Sequence, residues 1–172
     1  EIDTIRKLLT SKPRPVGWSE RRQRINEVGS TWPVAPDIQC EAVDCDGVAG
    51  EWSIAPGSDA SCALLYFHGG GYCSGSIVSH RRLVTEAGRA AGARTLAVGY
   101  RLAPEHPFPA ALEDIEAVYL GWLAGDREQD IVFGAESTGA ALRLSALVKM
   151  RDDGRPSKEI IGVPLDGSGA GH

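Results

Sequence analysis

The stretch ALLYFHGGGYCSGS, residues 63–76, decides the fold. Its first five residues are continuously apolar, which is typical of a parallel strand that helices cover on both faces. Three consecutive glycines, Gly69 to Gly71, follow the strand after a single histidine. Because glycine has no Cβ atom, these residues allow backbone N–H groups to turn toward a bound anion. We therefore predict a buried strand that leads into an oxyanion-binding loop of the kind used in acyl transfer.

A glycine-rich segment after a strand has two other interpretations. It is either a plain connecting turn or the phosphate-binding turn of a dinucleotide fold. The dinucleotide fingerprint requires glycines at its first, third and sixth positions, whereas the sixth position counted from Gly69 is Ser74. The spacing therefore favours the oxyanion loop and argues against a Rossmann oxidoreductase.

Strand-like and helix-like segments alternate along the chain beyond this loop. The apolar runs lie at 95–98, 131–133 and 160–165, and the helical patterns at 79–91, 109–123 and 138–151. Such β-α-β crossovers predict a doubly wound, mostly parallel α/β sheet. The chain ends in a glycine-rich tail soon after its last predicted strand, so we expect this sheet to be truncated before its final strands.

The first sixty residues have different patterns. Residues 1–30 read as two short amphipathic helices, with Ser19 as a possible N-cap of the second. From Ile38 onward, apolar and polar residues alternate on both sides of Asp46-Gly47. This pattern predicts a hairpin of two half-buried antiparallel edge strands.

Composition excludes several classes of protein. The chain has 172 residues and a net charge of -5, and its Lys and Arg residues are scattered, so we expect no nucleic-acid partner. No apolar run is long enough for a membrane span, and the opening around Glu1 and Asp3 is unlike a secretory leader. We therefore expect a cytoplasmic protein, in which the four cysteines are reduced thiols.

A second motif, AESTGA at 135–140, supplies a candidate nucleophile. It follows the apolar run 131–133 and precedes a helical pattern, which is the strand-turn-helix context of a GxSxG nucleophile elbow. Ala135 stands where that motif has its first glycine. The pattern makes Ser137 the candidate nucleophile, and the alternative is that Ser137 only caps a helix beginning at Thr138.

Two segments carry a family resemblance. HGGGYCSGS at 68–76 and YRLAPEHPFPAALED at 100–114 resemble signature segments of the hormone-sensitive-lipase-like, bacterial family IV esterases of the α/β-hydrolase fold. Up to about residue 114 the chain is most similar to bacterial monoterpene lactone hydrolase-like esterases. The resemblance implies cap helices at 1–30, a partial core at 31–172, and hydrolysis of small-molecule carboxylic esters or lactones without a metal or cofactor.

The resemblance also implies roles for individual residues. Ser137 would be the catalytic nucleophile, and the backbone amides of Gly70, Gly71 and Thr138 would form the oxyanion hole. Residues 101–109 would form a structural loop that braces the site. His68 and His106 would then be structural rather than catalytic.

The partners of a catalytic serine are harder to find. In this fold they follow in the order serine, acid, histidine, and only Asp166 and His172 follow Ser137 in that order. They lie six positions apart on a glycine-rich tail, and the resemblance implies a structural role for the aspartate. We therefore expect the isolated chain to be nearly inactive.

Two interpretations of the missing partners stay open. Either the chain is the N-terminal portion of a serine hydrolase, or it is a noncatalytic hydrolase-fold module that binds small molecules. In both cases a sheet that stops early exposes an apolar edge, and we expect this edge to promote homo-oligomers.

Overall fold

The computed structural model describes residues 2–11, 13, 15–124, 130–154 and 161–162. The helices are α1 (Ile2–Thr10), α2 (Trp18–Gly29), α3 (Ile77–Ala91), α4 (Ala110–Ala124) and α5 (Ser137–Asp152). The strands are β1 (Gln39–Cys45), β2 (Val48–Ile54), β3 (Asp59–Phe67), β4 (Ala93–Gly99), β5 (Asp130–Ala135) and β6 (Ile161–Gly162). The predicted alternation of strands and helices is therefore confirmed within the described residues, with most boundaries shifted by no more than a few residues.

The described strands form one sheet in the order β1-β2-β4-β3-β5-β6. The last four strands in this order are mutually parallel, whereas β2 runs antiparallel to both β1 and β4. The hairpin turn lies at Asp46 and Gly47, which both have positive φ, 59° and 84°. The predicted hairpin is thus confirmed, but of its two strands only β1 lies at an edge of the described sheet, because β2 pairs with strands on both sides.

Helices cover both faces of the sheet. Side chains alternate along β3, so that Leu65 and Phe67 pack in the large core cluster with residues of α4 and α5. Tyr66 points to the opposite face and packs with Val84 of α3. Burial of each such large side chain stabilises the fold by roughly 1.5–3 kcal/mol. The doubly wound arrangement predicted from the sequence is therefore present.

The start of helix α2 differs from the sequence prediction. α2 begins at Trp18 with Gly17 as its N-cap, so the expectation that Ser19 caps this helix is wrong. The extended backbone of Gly17 (φ -83°, ψ 158°) starts the helix two residues earlier, and Ser19 lies in its first turn.

Only residues 161–162 of the strand expected at 160–165 are described, and Asp166 and His172 lie outside the described residues.

Two glycines at equivalent places in their helices have opposite surroundings. Gly88 of α3 is buried, and a Cβ atom there would overlap the Oγ1 atom of Thr95 on β4. Gly121 of α4 is exposed, and a Cβ atom there would meet nothing within 4 Å. α3 can therefore approach β4 closely only because residue 88 has no side chain.

We expect Gly88→Ala to lower the free energy of unfolding by about 1–3 kcal/mol, since the methyl group must push α3 away from β4. Gly121→Ala is the matched control. It should raise the free energy of unfolding by up to about 1 kcal/mol, because alanine favours the helix and meets no neighbour. Chemical denaturation of both variants measures the difference, and equal shifts would contradict the close packing of α3 on β4.

Candidate active site

Two loops leave the sheet side by side at the carboxyl ends of β3 and β5. Phe67, the last residue of β3, pairs with Ala135, the last residue of β5. Because both strands run in the same direction, the chain leaves each at the same edge of the sheet. The glycine-rich loop at 68–72 and the turn at 136–138 therefore start as neighbours.

The turn after β5 holds Ser137 in a strained and accessible conformation. Ser137 is exposed, is the first residue of α5 and has a φ of 49°. A residue with a side chain in this left-handed region costs of order 1–3 kcal/mol, and such strain concentrates at functional sites. The N-cap of α5 is Glu136, so the alternative that Ser137 only caps the helix does not describe its place.

Gly139 allows the helix to start this close to the sheet. A Cβ atom at this position would overlap the carbonyl oxygen of Phe67 and lie 2.6 Å from the carbonyl oxygen of His68. Any larger residue would push the start of α5, and Ser137 with it, away from the end of β3. The second glycine of the motif is thus required by packing, whereas Ala135 fits as the last residue of β5.

The glycine-rich loop forms a tight turn on its own backbone. Gly70 and Gly71 have φ values of 130° and 64°. The carbonyl oxygen of Gly70 accepts hydrogen bonds from the amide and the hydroxyl of Ser74, at 3.0 and 2.7 Å. A Cβ atom on Gly70 would overlap the Ser74 carbonyl oxygen, so only glycine fits this turn.

The loop and the elbow touch directly. The Gly71 amide donates a hydrogen bond of 3.1 Å to the Oγ1 atom of Thr138. A Cβ atom on Gly69 would lie 3.0 Å from Cβ of Ser137, so the two backbones are almost in contact. The structure therefore brings together all four predicted site residues: Gly70, Gly71, Ser137 and Thr138. Within the described residues, no backbone carbonyl accepts a hydrogen bond from the Gly70 or Thr138 amide.

Three stacked rings, with His68 in the middle, support the glycine-rich loop. The His68 side chain is only 3% exposed, and its Nδ1 donates to the Gly69 carbonyl oxygen at 2.8 Å. Its ring stacks on Tyr100, with centroids 4.4 Å apart, and on His80, at 5.4 Å. The Tyr100 hydroxyl donates to the His68 carbonyl oxygen. Burial lowers the pKa of His68 to about 4, so this ring is neutral at pH 7.

One contact beside Ser137, the candidate nucleophile, is not predicted by any sequence pattern. The Nε2 atom of His80 lies 2.7 Å from Oε1 of Glu136, the residue immediately before Ser137. His80 is on α3, and 56 positions separate the two residues in the chain. No spacing rule connects them, so the pair becomes apparent only in the folded chain.

Arginine side chains fix the surrounding loops. The Arg101 amide and Nε donate to the Asp114 carboxylate at 2.7 and 2.8 Å, which anchors the loop at 101–109. Arg22 of α2 donates to the Cys73 and Ala103 carbonyl oxygens, both at 2.8 Å. One side chain from the N-terminal region therefore joins both loops that border the site.

A mostly apolar cavity of about 380 Å³ opens beside the glycine-rich loop. Gly71 and Tyr72 line it on one side, and Leu112 and Leu142 of α4 and α5 on the other. His106 is exposed and also lies on the wall of this cavity, away from any described contact with Ser137. The cavity has the character of a site for an uncharged organic group.

Two kinds of feature are absent from the described residues. They contain no group of three or more His, Cys, Asp or Glu side chains arranged to hold a metal ion. None of the described helices has both the length and the apolar character needed to cross a membrane.

Comparison with known proteins places these features in context. Residues 64–168 match a family described as having the α/β-hydrolase fold. The chain is 37% identical over 166 residues to an acetyl-hydrolase of Streptomyces hygroscopicus, covering 91% of this chain and 53% of that protein. It is 33% identical over 146 residues to an esterase of Acinetobacter venetianus, covering 83% and 48%.

Solved structures give the same result. A crystal structure of an esterase from the bacterial hormone-sensitive lipase family superposes with a TM-score of 0.85 at 38% sequence identity. The match covers 94% of this chain and 55% of that one. This chain therefore spans about half the length of the relatives that it matches.

We expect the neutral His68 to make stability depend on pH. Its pKa is about 4 in the folded chain against 6.5 for an unperturbed histidine. As pH falls from 6.5 to 4, the unfolded chain takes up a proton that the folded chain does not, so stability is lost. The loss amounts to about 3 kcal/mol.

Denaturation between pH 7 and 4 checks this prediction. His68→Asn, which keeps a donor near the Nδ1 position, should show a smaller loss of stability over this range than the native chain. His106→Asn, at an exposed position, is the control and should follow the native curve. Parallel curves for His68→Asn and the native chain would contradict the assignment.

Proposed function

Because this chain belongs to the α/β-hydrolase family, we propose that it supplies the nucleophile and the oxyanion hole of a serine carboxylic ester hydrolase. The observation that carries the proposal is the juxtaposition of an exposed, strained Ser137 with the glycine-rich loop. The names of the relatives support ester hydrolysis, since they are an acetyl-hydrolase and esterases.

The reaction proceeds through an acyl-enzyme. Ser137 Oγ attacks the ester carbonyl carbon, and the carbonyl oxygen becomes an oxyanion beside the amides of Gly70 and Thr138. The Gly71 amide lies next to them and donates to Oγ1 of Thr138. Collapse of this intermediate expels the alcohol and leaves the acyl group on Ser137, and water then releases the acid. Thr138 lies in the first turn of α5, where unpaired amides and the helix dipole favour negative charge.

The attack also requires an acceptor for the Ser137 proton. Within the described part of the chain, no imidazole forms a hydrogen bond with Ser137, and the nearby His80 is engaged with Glu136. The general base is therefore proposed to lie outside the described residues, as the serine-acid-histidine order of this fold requires.

The proposed substrate is a small, uncharged ester or lactone. The adjoining cavity of about 380 Å³ is lined mainly by apolar groups and can accept a short acyl or alcohol chain. No cofactor is part of the proposal, because nucleophilic attack and oxyanion stabilisation need only side chains and backbone amides.

A second candidate function is binding of such molecules without turnover. The absence of an imidazole bonded to Ser137 among the described residues favours it. A noncatalytic module would keep the cavity and the fold but would not react at Ser137.

The test is hydrolysis of p-nitrophenyl acetate by the protein at its natural length. Ser137→Ala should lower kcat by several orders of magnitude, up to about 10⁶-fold, because it removes the nucleophile. Ser19→Ala, on the exposed face of α2, is the matched control and should leave kcat unchanged. A fluorophosphonate should label the native protein and Ser19→Ala but not Ser137→Ala.

Turnover that survives Ser137→Ala would overturn the proposal. Binding of the ester without hydrolysis or labelling would instead support the noncatalytic module.

A further inference from the structure

Thr138 brings a hydroxyl group into the oxyanion hole proposed above. Its Oγ1 atom accepts the hydrogen bond from the Gly71 amide at 3.1 Å. A backbone amide has a single proton, so the Gly71 N–H is directed at this hydroxyl and not at the place of a substrate oxygen. The side chain of residue 138 therefore takes over the position that the Gly71 amide would otherwise serve.

The proton of the same hydroxyl has no acceptor in the described part of the chain. A threonine hydroxyl offers one donor and two acceptor sites, and here one acceptor site is occupied by the Gly71 N–H. A hydroxyl that accepts a hydrogen bond becomes a stronger donor through polarisation. Thr138 is also only half-buried, so a ligand can reach its O–H.

The position of the side chain is restricted. Thr138 is β-branched and lies in the first turn of α5, where few χ1 rotamers are allowed. The helix start itself is held against β3 by the close approach at Gly139. The hydroxyl is therefore held in place before any substrate arrives, which is the condition for effective electrostatic stabilisation.

We propose that the Thr138 hydroxyl is a catalytic donor to the oxyanion, with the Gly71 N–H bonded behind it. The hole would then consist of the Gly70 and Thr138 amides and the Thr138 side chain. This inference rests on the proposed ester hydrolysis at Ser137. It adds a hydrogen bond from O–H to the oxyanion, and no covalent bond to Thr138 forms or breaks.

The geometry also suggests the opposing outcome that the test must detect. If the Thr138 hydroxyl only accepted the Gly71 hydrogen bond and donated nothing to the oxyanion, removing the hydroxyl would free the Gly71 amide to bind the substrate oxygen. Hydrolysis would then become faster, whereas loss of a catalytic donor makes it slower.

The experiment compares Thr138→Val with Thr138→Ser in the protein at its natural length. Valine has the shape of threonine without the hydroxyl, and serine keeps the hydroxyl. With p-nitrophenyl acetate, Thr138→Val should lower kcat by about 10²-fold with little change in KM, because an oxyanion donor acts in the transition state. Thr138→Ser should stay within a few-fold of the native kcat.

A transition-state analogue supplies a second readout. A trifluoromethyl ketone that adds to Ser137 should lose affinity for Thr138→Val by a factor similar to the loss in kcat. If Thr138 had only a structural role, Thr138→Val would change KM and stability, and the loss in affinity for the analogue would not match the loss in kcat. Urea denaturation measures the stability of each variant. If the valine variant does not fold, Thr138→Ala replaces it in both assays.

The outcomes separate the two proposals. If Ser137→Ala retains full activity, the proposed function fails and this inference fails with it. If Ser137→Ala is inactive while Thr138→Val equals or exceeds the native kcat, only the role of the Thr138 hydroxyl is overturned.

Discussion

The backbone of α5 lies against the end of β3 because residue 139 has no side chain. A Cβ atom there would overlap the Phe67 carbonyl oxygen, the last such group of β3. This close approach brings Ser137 next to Gly69 and brings Thr138 within hydrogen-bond distance of Gly71. The parallel pairing of Phe67 with Ala135 sets the level at which both loops leave the sheet. The whole candidate site follows from this contact between a helix start and a strand end.

A loop of three glycines is costly to order, since glycine loses more backbone entropy than any other residue. The surrounding polar contacts supply that order. The buried ring of His68 holds the Gly69 carbonyl from below, and Arg22 holds the Cys73 carbonyl at the other end of the loop. Arg101 and Asp114 fix the neighbouring loop. Amides held in advance of binding need no reorganisation when charge develops on the substrate.

The residues at the first position and at the two variable positions of the GxSxG elbow motif have different consequences here. Ala135 ends β5 in regular pairing with Phe67, and its methyl group is accommodated there. Thr138 changes the chemistry of the site, because its hydroxyl receives the Gly71 N–H. Glu136 adds a contact with His80, so the residue before Ser137 is tied to α3. Glu136 and Thr138 therefore set the hydrogen bonding around Ser137, while Ala135 leaves the turn itself intact.

The sequence by itself determined the sheet, the order of its elements and the two loops that meet at its edge. Apolar runs such as 63–67 and the turn Asp46-Gly47 act locally, so their patterns can be read without a partner. The place of β2 inside the sheet, the pairing of His80 with Glu136, and the bond from Gly71 to Thr138 were decided only by the tertiary structure. Each of these joins residues from distant parts of the chain, and local patterns do not specify which distant residue approaches. The nucleophile candidate came from a motif, whereas its hydrogen-bonded surroundings came from the way α3, β3 and α5 pack together.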